Sequence, residues 1–120
     1  MVYNIPVNEK LKEAACYYHH PYYQYNCAQS IVHHYNGSGD EVTCMKAMGS
    51  GRAPKGYCGA LHGALYLLEG NPKTQQKMVE AFAREAGSPY CRQIRKQKMV
   101  SCRECVKIAD RNLKILLSDE

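Results

Sequence analysis

The stretch at residues 57–72 reads YCGALHGALYLLEGNP. Its large apolar side chains recur every three or four residues, which predicts a helix with one buried stripe of Cys58, Leu61, Leu65 and Leu68. Gly59 and Gly63 are four residues apart and predict a strip without side chains, along which another backbone can approach closely. We therefore expect a central helix packed tightly against a second one.

Two more helices are predicted downstream from their end signals. Asn71 and Pro72 have the pattern of a cap and a first helical residue, and Gly87 that of a stop, so a helix is expected to reach about Ala86. Ser101 lies three residues before a glutamate, the spacing of a capping box that opens the last helix. The inward residues of the two helices are expected to be Met78, Val79, Phe82 and Ala86, and then Cys105, Val106, Ala109, Leu113 and Leu116.

Upstream, a helix is predicted from Asn8 to about Tyr18, because a cap residue precedes good helix formers. A second helix is predicted from about Gln24, with Cys27 on its buried face and a stop at Asn36 and Gly37. A short third helix over residues 40–48 would carry Cys44, before an irregular loop over residues 49–56. No strand pattern competes, so we expect an all-α fold: a compact single-domain bundle of about five or six helices over residues 1–120.

The composition narrows the class of function. The chain has seven cysteines, an odd number that internal disulfides cannot use completely. The first sixteen residues lack the apolar run of a secretory signal and no stretch has membrane-spanning length, so we expect a cytoplasmic protein that does not enter a membrane. In that reducing compartment, clustered cysteines are more often metal-binding or catalytic than disulfide-bonded.

The charge and the motifs exclude other classes. The net charge is +5, and eight Lys or Arg against four Asp or Glu lie in residues 91–120. This excess suits an acidic protein partner or simply a solvated helix face, whereas the lack of an RNA-binding motif makes nucleic acid an improbable partner. The glycines at 49, 51 and 56 can cradle an anion together with Arg52, but their spacing is not that of a nucleotide-binding loop. The many tyrosines are compatible with a homodimer.

Cysteines at helix starts are the strongest chemical signal. Cys58 and Cys102 each open a predicted helix, where the helix dipole and unpaired amides favour a thiolate over a thiol. Cys102 and Cys105 form a CxxC, a spacing found in redox dithiols and in half of many zinc sites. His62 follows Cys58 by four residues, so it is either a base or further ligand on the same face or a histidine without special duty. The two remaining cysteines, Cys16 and Cys44, are expected to be buried small hydrophobes.

The run GSGRAPKGYCGALHGAL over residues 49–65 resembles the central motif of the redox-active protein family named for its cysteine pattern C, GCAxxG, C, C. YNCAQSIV around Cys27, GSPYCRQI around Cys91 and CRECVKIADRNLKIL from Cys102 match the other parts in order. The GRAP segment is also similar to the branch of this family attached to split-Soret cytochromes, although the CxxCH of covalent haem attachment is absent.

This resemblance implies that Cys27, Cys58, Cys91 and Cys102 are the functional set, with Cys105 and His62 as further candidate ligands. Thiolates from separate elements suit an iron–sulfur cluster, which would make the protein an electron carrier or redox sensor, with a redox protein as partner, rather than a substrate-transforming enzyme. Two alternatives stay open. They are thiol–disulfide exchange and a structural zinc-binding interaction module.

Overall fold

A computed structural model describes residues 11–49 and 51–118 of the chain, and within these ranges the protein is all-α. Its helices are α1 (Cys27–His34), α2 (Gly39–Cys44), α3 (Gly59–Leu67), α4 (Pro72–Ala86), α5 (Cys91–Gln97) and α6 (Cys102–Ser118). Short 3-10 turns cover Ala14–Cys16, Met45–Met48 and Pro54–Gly56. The predicted all-α bundle of five or six helices is therefore confirmed. No helix in the described ranges has the length and apolar character needed to cross a membrane.

Helices α1 and α3 pack closely because of the glycine strip on α3. A Cβ atom on Gly63 would lie 3.0 Å from the carbonyl oxygen of Ala28 and 3.2 Å from the Cβ atom of Ile31. A Cβ atom on Gly59 would collide with the sulfur of Cys27. The close helix approach predicted from the two glycines is confirmed, and it brings α1 and α3 together beside the cysteines.

The ends of α4 and α6 follow the predicted signals. The side chain of Asn71 accepts a hydrogen bond from the Thr74 amide at the start of α4, and Gly87 ends this helix with φ at +92°. At the start of α6, Ser101 and Glu104 each accept the other's backbone amide through a side-chain oxygen, both at 3.1 Å. Local capping therefore fixes both helices at their predicted positions.

One main core joins five of the helices, and α5 contributes Ile94 to it. Ile31 of α1, Leu61 of α3, Phe82 of α4 and Val106 of α6 are fully buried in a single apolar cluster. The predicted stripes of α3, α4 and α6 supply most of this cluster, with Val79, Leu65 and Leu116 packed partly buried at its margin. The core positions the starts of α1, α3 and α6 next to one another.

The N-terminal prediction is wrong over the residues that the structure describes. Residues 8–10 of the predicted helix lie outside those residues, and from Leu11 to Tyr18 there is only the 3-10 turn Ala14–Cys16. Tertiary hydrogen bonds replace helical ones here, since the Ala14 amide donates to the Asp110 carboxyl group at 3.1 Å and the Leu11 amide to the Tyr17 hydroxyl at 2.8 Å.

Helix α5 is a second difference, because no helix was predicted over residues 91–97 and Cys91 opens one there. Only Cys91 and Ile94 of α5 are buried, so the helix has too few apolar residues to give a periodic signal. Lys98 ends it in the left-handed conformation, with φ at +55°. Basic, exposed side chains between these points conceal the helix in the sequence.

Candidate thiol site

Five of the seven cysteines lie in the first turn of a helix or at its cap. Cys27, Cys91 and Cys102 are the first residues of α1, α5 and α6, and Cys58 is the N-cap of α3. Cys105 follows in the first turn of α6. The expectation that Cys27 lies in the interior of a helix is wrong, because it is the first residue of α1 and directly follows the N-cap Asn26. The positive ends of four helix dipoles therefore point toward cysteines.

Three of these thiols are neighbours. Cys58 interacts with Cys27 and with Cys105 as a hydrogen-bond partner. The exposed fractions of the three residues are 8 %, 6 % and 2 %. Sulfur atoms from α1, α3 and α6 thus meet inside the protein, and all seven cysteines of the chain are free thiols.

Cys91 and Cys102 complete a group of five cysteines, which we call the thiol site: Cys27, Cys58, Cys91, Cys102 and Cys105. Cys91 lies close enough to Cys27 and Cys102 for their charges to interact. The backbone joins α3 to α5 here, because the Cys58 amide donates to the Pro89 carbonyl oxygen at 2.8 Å and Tyr57 and Tyr90 form an antiparallel bridge. The four cysteines implied by the family resemblance therefore come together.

The segment before α1 closes the site on one side. The Tyr18 hydroxyl donates to the sulfur of Cys102, and this ring is also near Cys27. Arg103 holds the segment in place, since its guanidinium donates to the carbonyl oxygens of Ala15 at 2.8 Å and Tyr18 at 3.2 Å. The same guanidinium lies 5.7 Å from the centre of the Tyr18 ring. Tyr18 is thus a neighbour of the thiols that the sequence did not indicate.

The environment of Cys27, Cys58 and Cys91 favours the protonated form of each thiol. The hydrogen bond to Cys105, followed by burial, raises the pKa of Cys58 to about 12. The hydrogen bond to Cys58 and then burial raise the pKa of Cys27 far above its ordinary value, and burial raises the pKa of Cys91. The prediction of a thiolate at Cys58 is therefore wrong for the free thiol, because the interaction with Cys105 and burial outweigh the opposing effects of Cys27 and the helix start.

Other sequence candidates lie outside this group. Cys16 and Cys44 are exposed, so the prediction that they are buried hydrophobes is wrong. His62 is half-buried, burial lowers the pKa of its imidazole, and its backbone amide donates to the Cys58 carbonyl oxygen at 2.9 Å. Cys105 was an ambiguous member of the site, and its contact with Cys58 now places it in the group. Its position on the inward stripe of α6 was the signal.

Within residues 11–49 and 51–118, no group of three or more His, Cys, Asp or Glu side chains is arranged to hold a metal ion. The neighbouring free thiols of Cys27, Cys58 and Cys105 interact with one another. The residue types nevertheless fit a thiolate-ligated centre, because the site offers five sulfur donors to a group that prefers four. Binding would require the cysteines to lose their protons and exchange their mutual hydrogen bonds for bonds to metal.

Comparison with known proteins found no matching family model, no matching characterised protein and no matching solved structure. The resemblance to the C, GCAxxG, C, C family therefore depends on the cysteine motifs of the sequence alone.

Proposed function

We propose that the thiol site binds an iron–sulfur cluster and that the protein carries or senses electrons. The observation that carries this proposal is the convergence of cysteines from the starts of α1, α3, α5 and α6 in one group, of which only Cys102 is partly exposed. Thiolates are the ordinary ligands of such clusters, and hydrogen bonds from nearby amides to sulfur tune their reduction potential. Helix starts supply both the thiolates and the amides.

The charges around the site support the same proposal. A cluster bound by four thiolates is an anion, and the four helix dipoles present their positive ends to it. Arg95 lies near Cys91 and favours its ionised form, and Arg103 is held beside Cys102 through its bonds to Ala15 and Tyr18. These cations would offset part of the negative charge. An acidic redox protein is the partner that we expect for the positive C-terminal half of the chain.

We take Cys27, Cys58, Cys91 and Cys102 as the ligands and Cys105 as the additional thiol. Cys102 opens α6 and is partly exposed, whereas Cys105 is 2 % exposed and lies on the core-facing side of the helix. A Cys105→Ser variant should therefore still bind iron and sulfide, and a Cys102→Ser variant should not. The reverse result would assign the fourth ligand to Cys105.

The contact of Cys58 with two other thiols favours thiol–disulfide exchange as a second candidate. In that reaction Cys58 and one neighbour form a disulfide, losing two protons and two electrons, and a disulfide in the partner protein is reduced to two thiols. The raised pKa of Cys58 weakens this candidate, because only the thiolate attacks. Alkylation rates measured against pH would support it only if one thiol reacts with a pKa below that of free cysteine.

The decisive experiment is reconstitution of the reduced full-length protein with iron and sulfide without oxygen. Visible charge-transfer absorption, with iron and acid-labile sulfide in equal amounts per chain, is the expected result. A colourless, metal-free protein would reject the cluster and favour thiol–disulfide exchange. A protein that instead retains zinc, without any change on reduction or oxidation, would favour a structural zinc module.

A further inference from the structure

A polar cleft of about 490 Å³ lies beside the thiol site. Its lining includes His19 and Gln24 of one loop, and Thr43 of α2 with Lys46 of the following 3-10 turn. Arg52, from the loop before α3, also lines the cleft. All five of these side chains are exposed, so a ligand can reach them from solvent.

The cleft is next to the thiols along the chain as well as in space. Three residues that line it are each one position from a residue of the thiol site or its surroundings: His19 follows Tyr18, Asn26 precedes Cys27, and Arg52 follows Gly51. Tyr18 donates to the sulfur of Cys102, and a Cβ atom on Gly51 would lie 3.9 Å from the sulfur of Cys91. A molecule bound in the cleft would therefore lie beside the redox chemistry proposed above.

The charge of the cleft is positive. Among the residues that the structure describes, its lining includes Lys46 and Arg52 and no Asp or Glu. The ion pairs found within the described part of the chain are Arg111 with Glu85 and Lys114 with Asp110, and neither involves the cleft. Two cations that face one cleft without a carboxylate between them favour a ligand that carries negative charge.

Arg52 is already oriented by its own loop. Its Nε atom donates to the Gly49 carbonyl oxygen at 3.0 Å, and one terminal nitrogen lies 3.4 Å from the Lys46 carbonyl oxygen. A guanidinium has five N–H donors, so further donors remain for a phosphate or a carboxylate. The side chain needs little reordering before it binds an anion.

The walls of the cleft are also fixed in advance. The side-chain amide of Asn26 donates to the carbonyl oxygens of Met45 and Lys46 at 3.2 and 3.0 Å, and the side-chain amide of Gln29 donates to the carbonyl oxygen of Val42 at 3.2 Å. These bonds attach the start of α1 to α2 and to the 3-10 turn that carries Lys46. Preorganised walls lower the entropy that binding must overcome.

The loop that contributes His19 and Gln24 to the lining contains strained backbone. His19 and Gln24 have φ values of +52° and +55°, in the left-handed region that side chains disfavour. The loop keeps this conformation through hydrogen bonds from the His19 amide to the Tyr25 carbonyl oxygen and from the Gln24 amide to the His20 carbonyl oxygen. Both strained residues line the cleft, and strain of this kind is concentrated at ligand-binding sites.

We propose that this cleft binds a small organic molecule through a phosphate or carboxylate group. Lys46 and Arg52 would hold the anionic group, and His19 and Gln24 would contact the remainder of the molecule. The site is distinct from the thiol site and binds its ligand whether or not a cluster is present.

The test is calorimetric titration of the reduced, metal-free full-length protein with pyrophosphate and, separately, with the tricarboxylate tricarballylate. We expect saturable binding of at least one of the two anions. Arg52→Gln and Lys46→Gln should each weaken that binding about tenfold, since each removes a charged hydrogen-bond donor. Lys77→Gln, which removes an exposed cation on α4 instead, should leave the dissociation constant unchanged.

The two anions identify the chemical class, since a site built for phosphate should prefer pyrophosphate and a site built for carboxylates should prefer tricarballylate. Absence of saturable binding to both would overturn the proposal. An equal loss in Lys77→Gln would also overturn it, because binding would then follow net charge alone. The assay contains no iron or sulfide, so its outcome is independent of whether the thiol site binds a cluster.

Discussion

The thiol site and the surroundings of Asp110 both place polar groups inside the protein, but they provide those groups with different hydrogen-bond partners. Asp110 is 4 % exposed and accepts hydrogen bonds from the Ala14 amide at 3.1 Å and the Tyr35 hydroxyl at 2.6 Å, with the Lys114 ammonium 3.8 Å away. The chain itself supplies these partners. In the thiol site, Cys27 and Cys58 instead interact with other thiols, and buried thiols are weak partners for one another.

This difference separates a structural polar network from a site prepared for a ligand. A buried carboxyl group with strong donors around it holds elements together and has little capacity left. Buried thiols joined mainly to one another keep strong metal-binding capacity in reserve. We therefore expect changes at Asp110 to alter stability, and changes at the thiols to alter what the protein binds.

The largest effect should come from Cys58→Ser. Cys58 contacts Cys27 and Cys105, so its loss removes the central sulfur, and we expect iron and sulfide content after reconstitution to fall to background. The matched control is Cys44→Ser, since Cys44 is exposed and lies outside the thiol site. Equal iron content in the two variants would end the distinction between clustered and isolated cysteines.

Asp110→Ala should destabilise the fold by about 3 kcal/mol, because it leaves the Ala14 amide and the Tyr35 hydroxyl without their partner. Urea unfolding of the metal-free protein measures this change, and Glu69→Ala, at an exposed site, serves as the control. Iron bound per folded chain should stay at the wild-type value. A large loss of iron from folded Asp110→Ala protein would join the two regions into one functional unit.

Gly63→Ala tests the close approach of α1 and α3 that supports the thiol site. A methyl group there would lie 3.0 Å from the Ala28 carbonyl oxygen, so we expect a loss of about 1–3 kcal/mol from overpacking. Gly39→Ala is the matched control, because no atom of the described residues, apart from its chain neighbours and its own helix backbone, lies within 4 Å of the added Cβ atom. Thermal unfolding compares the two variants, and equal stability would show that α1 can move away from α3 at little cost.

Tyr35→Phe should have the smallest effect at neutral pH, about 1 kcal/mol, through the lost hydrogen bond to Asp110. Burial, and then the bond to Asp110, raise the pKa of Tyr35 in the folded state. The unfolded chain therefore ionises first, near a pH of about 10, and stability falls as the pH rises beyond that value.

The phenylalanine variant lacks this contribution, so its stability should decline less steeply than that of the wild type between about pH 10 and 11. Tyr22→Phe, at a tyrosine that is 55 % exposed, should keep the wild-type decline. Parallel alkaline curves for the wild type and Tyr35→Phe would contradict this assignment. Denaturant unfolding at a series of pH values makes the comparison.

Local signals in the sequence were sufficient for α3, α4 and α6. The caps of α4 and α6 and the apolar stripes of all three helices lie within a few residues of one another, so nearby residues indicate each helix in the sequence. Nearby residues also predicted that Cys58 and Cys102 lie at the starts of α3 and α6. Helix α5 was missed because only Cys91 and Ile94 of it are buried.

The remaining differences have tertiary causes. A single 3-10 turn stands in place of the predicted N-terminal helix. The Ala14 amide donates to the side chain of Asp110, which is distant in the chain, and the Leu11 amide donates to the side chain of Tyr17. The state of Cys58 likewise depends on Cys27 and Cys105, which lie far away in the chain. A helix start alone predicts a thiolate, whereas the interaction with Cys105 and burial predict a thiol. No reading of adjacent residues contains that information.

The spread of the thiol site over α1, α3, α5 and α6 also has a consequence for the order in which the protein assembles. Each cysteine is delivered by a different helix, and the long loops between them must close before the sulfurs meet. The nascent chain cannot form the complete site until α6 has emerged and docked. Any ligand of the whole site would thus bind last, and by mass action it would stabilise the folded bundle against unfolding.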